Sequence, residues 1–122
     1  MIEGSVSPDL DLIVEIGLVG QNEVTRIPAL VDTGFSGHLC LAQRHADLLD
    51  LAFHHVERYE LANGDVVAAD VFRGTIVFGG ERREVDVIIT ASEDTLIGAS
   101  LLREYVLTVH YPQRWLRLER PE

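Results

Sequence analysis

Apolar and polar residues alternate in short runs along most of this chain, the period of two that marks strands with one buried face. Leu10, Leu12, Val14, Ile16 and Leu18 alternate with Asp9, Asp11, Glu15 and Gly17, predicting a half-buried strand. Gly20-Gln21-Asn22 makes a turn, and Val24 to Val31 returns as a second strand, in which Pro28 marks an edge or an irregularity. Leu39-Cys40-Leu41 predicts a short apolar strand. From Gln43 to Leu51 the spacing changes: Ala46, Leu48 and Leu49 fall on one side with Arg44, Asp47 and Asp50 outside, which predicts a short helix.

His55 to Leu61 and Val66 to Phe72 predict two strands joined by Ala62-Asn63-Gly64-Asp65. Asn-Gly between strand-like runs is a strong hairpin signal. Thr75 to Phe78 leads into Gly79-Gly80, a second hairpin turn, and Val85 to Ile89 follows as a buried strand. Leu96 and Ile97 run into Gly98, and a helical turn covers Leu101 to Arg103. Tyr105 to Tyr111 and Trp115 to Glu119 are the last strands, separated by Pro112-Gln113. No linker or low-complexity segment interrupts this order. Residues 1–122 are therefore expected to form one all-β domain with two short helices.

Charge narrows the partners. The chain has ten Arg, no Lys and twenty acidic residues, for a formal net charge of −10. That argues against nucleic acid and anionic membrane surfaces and favours solubility and cationic partners, although a solvated acidic surface is the simpler cause. Cys40 is the one cysteine, so no internal disulfide can form and a reducing, cytoplasmic setting is the expectation. Met1-Ile2-Glu3-Gly4-Ser5 lacks the basic-then-apolar order of a signal peptide, and no apolar run is long enough to span a bilayer.

Chemistry concentrates in Ala29-Leu30-Val31-Asp32-Thr33-Gly34-Phe35-Ser36-Gly37. An apolar strand opens into a tight loop at Asp32, where a poorly hydrated carboxylate suits acid–base work. Glycines 34 and 37 allow positive φ or a close approach of backbone. On its own, Asp-Thr-Gly is more often a bend with a turn carboxylate than a catalytic site. Gly34-Phe35-Ser36-Gly37 sets its glycine one place too near for a serine nucleophile elbow. His38, His45, His54, His55 and His110 share no metal-ligand spacing and read as surface positions, and Cys40 reads as core. No metal or cofactor is expected.

The early Val31-Asp32-Thr33-Gly34-Phe35, the central Asn-Gly hairpin, and the late Leu96-Ile97-Gly98 with Leu101-Leu102 together resemble the retropepsin-like single-lobe aspartic proteases of clan AA. The likeness is strongest to bacterial and archaeal members with Asp-Thr-Gly-Phe, and it covers residues 10 to 119. It implies a closed-up, barrel-like β-domain that forms a two-fold homodimer, each chain giving one catalytic Asp32. Two carboxylates held close together share one proton, so the ionised one activates water while the protonated one donates to the peptide carbonyl. By the same resemblance Thr33 bonds across the dimer axis and Gly34 keeps the backbone near the carboxylates. Leu96, Ile97 and Gly98 support the loop from below, and Ala62, Asn63, Gly64 and Asp65 are the flap over a bound peptide or protein substrate. Asp94 is a turn carboxylate, not a second catalytic residue. Phe35 departs from the small, sometimes hydroxyl-bearing residue usual in retroviral and cellular relatives. The terminal strand from Arg114 to Glu119 is expected to lend an exposed edge to the dimer. The alternative is a catalytically dormant dimeric peptide-binding or assembly module on the same fold.

Overall fold

The computed structural model describes residues 1–60 and 63–122. Its strands are β1 (Ile2–Val6), β2 (Leu12–Val19), β3 (Val24–Val31), β4 (Leu39–Ala42), β5 (Ala52–Glu60), β6 (Val66–Phe78), β7 (Glu81–Thr90), β8 (Leu96–Ile97), β9 (Val106–His110) and β10 (Trp115–Glu119). Two four-residue helices interrupt them, α1 (Gln43–Ala46) and α2 (Ala99–Leu102). The expected all-β chain with two short helices is what forms. No helix among the described residues is long and apolar enough to cross a membrane.

The sheet order is β5-β6-β7-β4-β8-β3-β2-β1-β10-β9, and β6 also pairs with β2 through Gly17–Val77 and Leu18–Ile76. That extra pairing closes β2, β3, β8, β4, β7 and β6 into a ring. Most pairs are antiparallel, but β3–β8 and β4–β7 are parallel. The ring encloses one core, in which Ile16, Leu18, Leu39, Leu41, Ile76, Phe78, Val85, Val87 and Ile97 are buried. The alternation seen in the sequence supplies these residues from one face of each strand.

Pro28 is tolerated for a reason the pairing makes plain. The amides of Leu30 and Asp32 point toward the β8 side, where they donate to Thr95 and Ile97 carbonyls at 2.8 and 2.9 Å. By the strand period the nitrogen of Pro28 faces the same side, beyond the reach of two-residue β8. The missing N–H therefore removes no ladder bond.

Several elements differ from their expected form. The predicted helix from Gln43 to Leu51 stops at Ala46, because Leu48 and Leu49 bond three residues back and the chain turns. That turn buries Leu49 and leaves Leu48 exposed. Leu10 has a φ of 70° in the turn between β1 and β2 and stays exposed, so β2 starts later than the alternation suggests. The two runs from Val66 to Phe78 are one continuous strand, and β5 begins at Ala52. Leu61, the expected end of that strand, lies outside the described residues.

The terminal strand is not a free edge. β10 pairs with β1 from Ser5–Trp115 to Ile2–Leu118 and with β9 from His110–Trp115 to Val106–Glu119. β1, which the sequence reading passed over, takes up one side of it. The outer strands of the sheet are β5 and β9.

Phe78 sits at the centre of this packing, fully buried and edge-to-face with Tyr105 at 5.5 Å. Phe78→Ala is expected to lower unfolding stability by about 3–5 kcal/mol, read from urea denaturation at fixed protein concentration. A loss below about 1 kcal/mol would show that this ring is not the packing centre.

Candidate active site

Asp32 leaves the end of β3 at the point where β8 runs alongside it in parallel. Its amide donates to the Ile97 carbonyl at 2.9 Å, and its carbonyl accepts from Phe35 at 3.2 Å. The side chain is half-buried, and its Oδ1 accepts the Gly34 amide at 3.0 Å. A Cβ on Gly34 would stand 3.3 Å from that same oxygen. Gly34 has no positive φ, a Cβ there would crowd that oxygen by a few tenths of an ångström, and Thr33 and Gly34 are both exposed.

The rest of the loop is gripped by the segment that follows β8. Gly98 donates to the His38 carbonyl at 3.0 Å, Ala99 to Phe35 at 2.7 Å and Ser100 to Gly37 at 3.2 Å. The Ser100 hydroxyl donates to the Ser36 carbonyl. α2 has no side-chain cap, and the loop carbonyls serve its first amides instead. A Cβ on Gly98 would lie 2.3 Å from the Gly37 oxygen and 2.5 Å from Phe35 atoms. The Phe35 ring fills the space that a Cβ on Gly37 or Gly98 would need.

The structure therefore brings Asp32 against Ile97 and the later part of its loop against Gly98, Ala99 and Ser100, while Thr33 and Gly34 stand exposed. Asp94 stands apart, exposed in the turn before β8, with its amide donating to the Ser92 hydroxyl at 3.2 Å. Asn63, Gly64 and Asp65 form the exposed turn between β5 and β6. Asn63 Oδ1 accepts the Asp65 amide at 3.0 Å, and Gly64 has a φ of 89°, a conformation that favours glycine. Ala62 lies outside the described residues.

Between the loop and the β5–β6 hairpin is a cavity of about 170 Å³. Ser36 and His38 line it from the loop, Glu57 from β5, Asp86 from β7 and Ser100 from α2, with Val71 and Ile88 as its apolar part. Asp86 lies opposite Arg73 in the β6–β7 ladder and accepts from its guanidinium at 2.8 Å. The Asp86 amide donates to His38 Nδ1 at 3.4 Å. Burial pushes the His38 imidazole below its ordinary range; Asp86 opposes this, and Arg73, Arg83 and Arg103 add to it. The neutral ring is the form whose Nδ1 can accept that amide. Sequence reasoning placed His38 on the surface and passed over Arg73, Asp86 and Glu57. The available signal was a polar residue inside each apolar run, Arg73 after Val71-Phe72 and Asp86 within Val85-Asp86-Val87. Among the described residues no three His, Cys, Asp or Glu side chains gather to hold a metal.

Cys40 is half-buried, not core. Burial pushes its thiol up to about 11, and the nearby Asp32 carboxylate adds to the shift. The neutral thiol is inert at ordinary pH. At pH 8 iodoacetamide should alkylate Cys40 about a hundredfold more slowly in the folded protein than in the unfolded chain. Equal rates would place Cys40 away from Asp32 and in contact with water.

The model of one protein family, aspartyl protease, matches residues 14–101. No curated protein matches the chain. Among solved structures, a retropepsin-like aspartic protease from Rickettsia conorii is 23% identical, with 96% of this chain and 88% of that one covered and a TM-score of 0.68. Simian foamy virus (mac) protease is 19% identical, with 75% of this chain and 91% of that one covered and a TM-score of 0.56. These two likenesses give the fold, which is retropepsin-like. The family match takes in the loop at Asp32, the β5–β6 hairpin and the Ile97-Gly98 support, well over half of the chain, and on it the chain belongs to the aspartyl protease family.

Proposed function

We propose that this chain is an aspartic-type endopeptidase that works as a two-fold homodimer, with residues 1–122 acting as one protease domain. The observation that carries the reading is the single Asp-Thr-Gly loop. It sits rigidly at the end of β3, with its carboxylate oriented by the Gly34 amide and with Thr33 and Gly34 exposed. One carboxylate cannot be both base and acid in the same step, and in this reading a second copy supplies the other Asp32. An isologous interface brings the same loop from both partners to one axis.

In this arrangement the ionised Asp32 takes a proton from the attacking water, and the protonated Asp32 of the other copy donates to the peptide carbonyl. As the carbon–nitrogen bond of the tetrahedral adduct breaks, the first Asp32 gives the water's proton to the leaving nitrogen and the other copy's Asp32 takes back a proton from the adduct's hydroxyl, with no covalent intermediate on the protein. Gly34 keeps Asp32 Oδ1 in place through its N–H, and Leu96, Ile97 and Gly98 hold the loop. The β5–β6 hairpin, with Asn63, Gly64 and Asp65 at its turn, covers an extended peptide. The lone free cysteine supports a reducing, cytoplasmic setting.

Asp32→Asn keeps the size of the side chain and one oxygen for the Gly34 amide but cannot take up the water's proton. Cleavage of denatured proteins should fall at least about a thousandfold in this variant, since the water loses its general base. Unchanged cleavage would sink the aspartic mechanism. Binding of peptide without cleavage by the wild type would favour the dormant module.

Sedimentation over a dilution series, run beside the cleavage assay, tests the dimer. Specific activity should fall as the dimer dissociates. Full specific activity in a strict monomer would contradict the shared site.

At Gly64 the φ of 89° strains any larger residue. Gly64→Val is therefore expected to raise KM for peptides several-fold, with urea stability little changed. An unaltered KM would remove the hairpin turn from substrate binding.

A further inference from the structure

The cavity beside the loop has a chemistry of its own, and from it we infer that it is a substrate side-chain subsite selective for a basic residue, Arg or Lys, with Glu57 as the recognising carboxylate. The inference rests on the protease reading above and specifies its substrate class. An extended peptide running between the loop and the hairpin sends alternate side chains toward the floor. The cavity is where such a side chain can go down, because Ser36 and His38 border it only a few residues beyond Asp32.

Strand register aims Glu57 into this space. Glu57 pairs with Ala69 and His55 with Val71 across the β5–β6 ladder, so these four share one face. Val71 is 1% exposed on that face, which is therefore the inner one. Glu57 continues it outward to the cavity mouth, and its side chain remains 49% exposed.

The charges in and around the cavity are unbalanced. Asp86 is committed to Arg73 at 2.8 Å, and Arg73 also faces Glu84 at 3.8 Å. His38 favours its neutral form. Among the described residues Glu57 has only the His55 imidazole, at 2.9 Å, as a partner. None of the described residues lining the cavity is an arginine. A substrate cation would supply the missing charge, and its aliphatic stem would lie on Val71 and Ile88 while its head stays at the polar rim. A volume of about 170 Å³ admits one long side chain with some water. The net charge of −10 steers basic peptides toward the protein as a whole. Selectivity at one position needs the local carboxylate.

The test starts from a peptide cut by the wild-type protein. Each of the four positions on either side of the cut is changed in turn to Lys, Ala or Glu. At one position the wild type should prefer Lys over Ala by about fivefold or more in kcat/KM. In Glu57→Gln this ratio should collapse toward one, and in Glu57→Lys the preference should turn to Glu at the same position. Cleavage with no basic preference at any position, or a preference that Glu57→Gln leaves intact, overturns the subsite while the protease reading stands. Binding to Asp32→Asn of extended peptides that carry Lys, Ala or Glu at each position in turn, chosen without regard to cleavage and followed by fluorescence anisotropy, separates the two claims. If the wild type cuts nothing but Asp32→Asn binds Lys peptides better, and the Asp32→Asn/Glu57→Gln double variant does not, the subsite stands and the protease reading fails. Neither cleavage nor selective binding overturns both.

Discussion

The site depends on a backbone clasp between the loop after β3 and the segment after β8. Amides of Gly98, Ala99 and Ser100 reach three carbonyls of the loop, while the amide of Asp32 reaches back to Ile97. Each group would otherwise need water or a cap, since no helix satisfies its own first amides and α2 has no side-chain cap. The clasp thus solves two problems at once: it partners the orphan amides of a four-residue helix, and it fixes the loop that carries Asp32. Its tolerance is small, since a Cβ at Gly98 would stand 2.3 Å from a loop oxygen. A loop held by backbone on one side and by a closed ring of strands on the other has little freedom to drift.

The same geometry explains why the cleft lies where it does. β8 is only two residues long, so β3 and β4 flank it and the chain on either side of it is released into loops. β6 runs for thirteen residues, long enough to seal the ring against β2 at one end and to carry the hairpin with β5 at the other. One strand is therefore both wall and roof. Its inner face changes from buried Val71 to exposed Val67 along the hairpin, and apolar surface left open there is surface available to a ligand.

Much of this was legible in the sequence because the signals are local. Alternation gave β3 with its bounds, Asn63-Gly64 gave the hairpin, and the end of an apolar run put Asp32 where β3 opens into its loop. The missing parts depend on distant partners. β1 has only Ile2 and Val6 buried, too few for a pattern, and it is a strand because β2 and β10 accept it. The stretch after Gln43 has helical spacing, but packing of Leu49 and Leu51 near Gly74 bends it away after one turn. The cavity draws Ser36, Gly37 and His38 from the loop, Asp86 and Ile88 from β7 and one residue each from β5, β6 and α2, and no spacing rule joins Glu57 to Ser100. Cys40 belongs to an apolar triplet, and only the β4–β8 pairing sets it near Asp32.

Phe35 shows how a departure from a family pattern is absorbed. Phe35 carries no hydroxyl that could bond the Asp32 carboxylate. Here the support comes from backbone: the Gly34 amide donates to Asp32 Oδ1, a bond that no side chain at 35 can remove. The ring instead occupies volume between Gly37 and Gly98, within 2.6 Å of where a Cβ of either would be. The ring in its place leaves no room for a Cβ at either position. Phe35, Gly37 and Gly98 act as one packing unit, so the aromatic residue and the two glycines can change only together. A small residue at 35 with both glycines kept would leave a void above the clasp. A Cβ at either glycine with Phe35 kept would push the loop, and Asp32 with it, off the end of β3.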